Sequence, residues 1–136
     1  MNSWGESAKS IFHAKALAYT PVAQFPGMPN EDLVEWTGHA NAPLAIHDGE
    51  APRSTWADIL FLAERLAPEP RLIPDDAADR ALMFGIGHEI CGEHGFGWSR
   101  RLMMLDALLA PEAGDGGRRA GETLGARYGS SKEAAA

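Results

Sequence analysis

Residues 88–94, His-Glu-Ile-Cys-Gly-Glu-His, gather two histidines, two glutamates and the only cysteine of the chain. These side chains are the usual ligands of a transition metal. On a helix, however, His88 and His94 stand six positions apart and point to opposite sides, so they cannot share an ion. His88 and Cys91, three apart, share a face but need ligands from elsewhere. Neither a His-Glu-x-x-His nor a Glu-x-x-His order is present, and no metal is expected. Two hydroxyl positions offer other chemistry. Ser54–Thr55 precedes an amphipathic stretch, and Ser3 forms a Ser-x-x-Glu capping box with Glu6. A hydroxyl at the positive end of a helix can stabilise a thiolate. It can equally serve as a cap and nothing more.

The elements that must position these residues follow from patterning. Residues 3–18 read as a helix, with Ala8, Ile11, Phe12 and Lys15 at helical spacing. Residues 19–25 read as a short strand that Pro21 confines to an edge, and a brief helix runs from 30 to 36. Leu44–Ala45–Ile46 and the Asp48-Gly49 signal predict a hairpin whose second strand is cut short by Pro52. Trp56, Ile59, Leu60, Ala63 and Leu66 form one stripe of a helix over 56–66, capped by Thr55 and Asp58. Three prolines within 67–76 mark a linker, and 77–109 turns helical. The glycines at 85, 87, 92, 95 and 97 predict close packing or a kink there. Trp98, Leu102, Leu105 and Leu109 form a core stripe, and Arg100–Arg101 a solvated pair. Residues 110–121 read as loop, 122–128 as a stub of helix, and 130–136 as frayed. Strands alternate with helices only before residue 67, so the pattern is a small α/β unit followed by helices.

With 136 residues, 45% apolar and 23% charged, the chain has material for one core or for one small domain and part of another. A net charge of −7 argues against nucleic acid, whose phosphates need clustered cations. One cysteine excludes an internal disulfide framework and makes a reducing compartment the default. No apolar run is long enough to span a membrane, and no secretory signal is evident, so cytoplasm is the expected location.

Within 41–66 the order is an Ala42-Pro43 opening, a short apolar run, a turn, the Ser54–Thr55 pair and a helix ending Leu-Ala-Glu-Arg-Leu. The linker then carries Leu72-Ile73-Pro74. In this order the chain resembles the glutathione transferase family over residues 3–109. The resemblance implies an α/β, thioredoxin-like N-terminal domain over 1–67, lacking its first strand, followed by a partial all-α domain over 77–136. The chain is then a truncated member. It implies glutathione as co-substrate, held by Ala42, Pro43, Ser54 and Thr55, with Ser3 assisting the thiol as catalytic residue. Ser54 stands where family members usually carry an acid. The implied activity is conjugation of the glutathione thiol to a small electrophile, a detoxification chemistry, in a homodimer with no nucleic acid and no membrane. The alternative is a non-catalytic interaction module, and a redox role for Cys91 is a third reading.

Overall fold

The computed structural model describes residues 3–25, 28–92 and 94–128, the side chains of 3, 127 and 128 excepted. The chain divides into two compact units, Met1–Asp75 and Asp76–Ala136. The first holds α1 (Ser3–Ala14), α2 (Glu31–Thr37) and α3 (Trp56–Leu66). The second holds α4 (Ala77–Cys91), α5 (Phe96–Leu109), a single 3-10 turn at Pro111–Ala113, and α6 (Gly114–Tyr128).

In the first unit α1 packs on α3. Ala8 of α1, Ala45, and Ile59 and Leu62 of α3 form the buried centre, with Ile11, Phe12 and Leu66 against it. The predicted stripe of α3 therefore faces inward, and its start is set by the Thr55 hydroxyl, which accepts from the Asp58 N–H at 3.1 Å. α1 ends four residues earlier than its pattern predicts. Ala16 adopts φ 53°, its N–H donates to His13 O, and the Leu17 N–H reaches back to Phe12 O. This pair of bonds is a Schellman stop, a place where glycine is favoured because a Cβ crowds the left-handed region. Ala16→Gly is expected to stabilise the unit by about 0.5–1 kcal/mol, read as a higher urea midpoint with unchanged m.

The expected α/β, thioredoxin-like fold is overturned: among the described residues there is no strand, and the architecture is helical. The predicted hairpin shrinks to one antiparallel bridge, in which Ala45 and Arg53 exchange N–H···O bonds of 2.9 and 2.8 Å. Its turn does form, with Asp48 and Gly49 both at positive φ (46° and 77°) and the Glu50 N–H donating to His47 O. Pro43 and Pro52 flank the bridge and lack the N–H groups that would extend a ladder. Residues 19–25, read as an edge strand, have no strand partner among the described residues and are irregular. Tyr19, Val22 and Phe25 stay exposed, although the Tyr19 ring touches Phe12 at a centroid distance of 5.6 Å. Asn30 organises this loop, accepting from the Phe25 N–H and donating to Phe25 O and Met28 O at 2.9 Å each.

In the second unit the single helical stretch predicted over 77–109 is two helices. Asp76 caps α4 by accepting from the N–H groups of Ala78 (2.9 Å) and Asp79 (3.0 Å). The chain then turns at Gly92–Gly95. A Cβ built on Gly95 would stand 2.6 Å from Glu89 O and 2.8 Å from His88 O. The break therefore sits where only a residue without a side chain lets the backbone fold over the end of α4. α5 packs against both α4 and α6, and Leu105 is fully buried. The core stripe of α5 is thus confirmed at Leu105. Arg101 is not the solvated residue expected: its guanidinium lies 3.9 Å over the Trp98 ring.

The 110–121 loop of the sequence reading is also corrected, because α6 occupies it from Gly114. Glycine normally weakens a helix. Here Gly121 is buried, and a Cβ there would meet Leu109 and Leu108 of α5 at 2.9–3.1 Å. Close packing, rather than helix propensity, holds this element.

Candidate functional site

Of the residues expected to bind glutathione, Ala42–Pro43 and Ser54–Thr55 lie on the two arms flanking the Ala45–Arg53 bridge. The Ala42–Pro43 peptide bond is cis. Ala42 and Pro43 are half-buried, while Ser54 and Thr55 are exposed. The Thr55 hydroxyl both accepts from the Asp58 N–H and donates to the Asp58 carboxylate at 2.7 Å, so both its bonds serve the helix cap. Ser3, the expected catalytic residue, begins α1, and its side chain lies outside the described residues. Its capping-box partner Glu6 pairs with Lys9 at 2.7 Å.

Two polar networks went unread in the sequence. Glu50, in the turn, accepts from Arg65 Nη2 through both oxygens (2.6 and 2.7 Å), pairs with Arg53 at 3.0 Å, and meets His47 Nδ1 at 3.3 Å. The Arg65 bonds, with His47 next, hold its carboxyl below the ordinary carboxylate range. This network fastens the turn to the last turn of α3. Lys15 is the deeper case. Its side chain is fully buried, donates to Ala67 O at 2.8 Å and pairs with Glu64, which also accepts from the Leu72 N–H. Burial pushes the Glu64 carboxyl up, but the Lys15 and Leu72 bonds overcome it and leave the group below its ordinary value. The signal was present, since Lys15 sits on the apolar spacing of α1. The Lys15–Glu64 pair balances its charges, whereas Glu50 faces two guanidiniums; both networks tie elements together.

Among the described residues no group of three His, Cys, Asp or Glu side chains is placed to hold a metal. Cys91 is half-buried at the end of α4, and burial pushes its thiol up, away from the reactive thiolate.

Exposed apolar surface occurs in both units, including Phe96, Met103 and Met104 of α5 at 69%, 73% and 51%. In the first unit an open groove of about 800 Å³ is lined by Phe25, Met28 and Leu33 with Glu31 and Asp32 beside them. In the second, α4 buries none of its 15 residues. Its half-buried Met83, Phe84, Gly87 and Cys91 share one side. On the other side Leu82, Ile86 and Ile90, four positions apart, are 62%, 51% and 49% exposed. Asp79, three residues before Leu82, and Glu89, three after Ile86, stand exposed along this stripe. No family model, curated protein or solved structure matches the chain. With no family match and no sheet among the described residues, the resemblance to glutathione transferases is withdrawn, and the class that remains is a helical protein of two small units.

Proposed function

We propose that this protein is a non-catalytic interaction module that docks a partner on the outer side of α4. One observation carries the reading: a helix of four turns leaves Leu82, Ile86 and Ile90 in water along a single stripe. Burying a large aliphatic side chain stabilises by about 1.5–3 kcal/mol. Contiguous exposed apolar stripes of this kind accordingly mark interaction surfaces. Glutathione conjugation depended on a sheet edge able to take up an extended peptide, and the described residues form no such sheet. The groove beside α2 is open, and Glu31 and Asp32 interrupt its apolar lining. A cytoplasmic setting fits the free Cys91, and no helix among the described residues is long and apolar enough to cross a membrane.

The test uses an environment-sensitive apolar dye. Ile86→Asp is expected to cut dye fluorescence at least twofold while far-UV circular dichroism and the urea midpoint change little, because half of Ile86 faces water and it lies outside the buried core. Unchanged fluorescence, or a clear loss of stability, would show that the stripe is covered within the protein.

A further inference from the structure

The charges beside the stripe narrow the partner, given the reading of α4 as the docking surface. Asp79 and Glu89 both lie next to the apolar residues, while the one arginine of α4, Arg80, falls on the opposite side of the helix from Leu82, and α4 carries no lysine. Ala78 and Gly85, which border Leu82 one turn before and after it, are small and exposed, and a Cβ at Gly85 would touch nothing within 4 Å. A partner backbone can therefore approach closely. The surface is an apolar ridge with acids placed near its two ends.

We propose that its occupant is an amphipathic helix of another protein, with Lys or Arg flanking an apolar face spaced i, i+3, i+4, i+7. Such a helix buries its apolar residues on Leu82, Ile86 and Ile90 while its cations meet Asp79 and Glu89. A second copy of this chain brings the same two acids and another net charge of −7, so its approach is opposed. Anionic lipid headgroups are opposed for the same reason. The acids thus act for one class of partner and against two others.

Two helical probes of 18 residues, sharing one leucine face and flanked by either lysine or glutamate, separate these cases by fluorescence anisotropy. Wild-type protein is expected to prefer the lysine probe about tenfold, the scale of two exposed ion pairs, with the preference shrinking as salt rises. In Asp79→Lys/Glu89→Lys the preference reverses, and Ile86→Asp loses both probes. Equal binding of both probes to wild type, lost in Ile86→Asp, overturns the charge inference while leaving the docking surface standing. Binding of neither probe overturns both readings. A dimer in sedimentation that dissociates in Ile86→Asp, or flotation with anionic vesicles, overturns the inference in favour of the second copy or the lipid surface.

Discussion

Glu64→Gln is expected to destabilise the first unit by about 3 kcal/mol, because it leaves the Lys15 ammonium buried without a counter-charge. The Lys15 side chain has no exposed surface, and its remaining bond is to a neutral carbonyl, Ala67 O. A buried cation stripped of its partner costs far more than a surface pair is worth. Removing the cation as well changes the outcome: Lys15→Met in the Glu64→Gln background is expected to restore most of the loss, since a methionine fills the same space without a charge. Urea unfolding followed by tryptophan fluorescence reports mainly this unit, because three of the four tryptophans, Trp4, Trp36 and Trp56, belong to it. The same pair makes the unit acid-sensitive. The Glu64 carboxyl titrates below its unfolded value in the folded chain, so its contribution is complete above the ordinary carboxylate range. It is lost as pH falls through the lowered folded value. Glu50 has the same sign and adds to the loss. Glu64→Gln is therefore also expected to flatten the fall of stability below about pH 4.5.

The second large effect belongs to the other unit. Gly95→Ala is expected to cost about 2–3 kcal/mol, confined to the second unit. Gly95 lies at φ −75°, a value any residue adopts, so the cost is steric and not conformational. The added methyl would stand 2.6–2.8 Å from two backbone oxygens at the end of α4, and neither can swing aside as a side chain does. Amide exchange should accelerate across α4 and α5 while the amides of α3 keep their protection. Equal acceleration in both units would show that the two fold as one.

The accuracy of the sequence reading followed the range of the chemistry. α3 was legible because its Thr55 cap, Asp58 and inward stripe all lie within one short segment. The Asp48-Gly49 turn was legible for the same reason. The sheet was not, because strand pairing is a long-range property. A turn, a cap, a helix and a proline linker can follow one another in the order of a thioredoxin-like domain without any strands meeting. α6 was missed because its five glycines argue for a loop, and only Leu108 and Leu109 of α5 explain why Gly121 is wanted. The break between α4 and α5 was signalled by the glycines at 92 and 95. The exposed stripe of α4 was hidden. Met83 and Phe84 on one side of α4 and Leu82, Ile86 and Ile90 on the other blur the apolar period, so sequence alone does not say which side is left in water.

A shift map of the ¹⁵N-labelled protein titrated with the lysine-flanked helix tests the central claim most directly. The largest amide shifts are expected on α4, centred on Leu82, Ile86 and Ile90, with Phe25, Met28 and Leu33 of the groove unmoved. Shifts centred on Phe25, Met28 and Leu33 instead, with α4 silent, would contradict it.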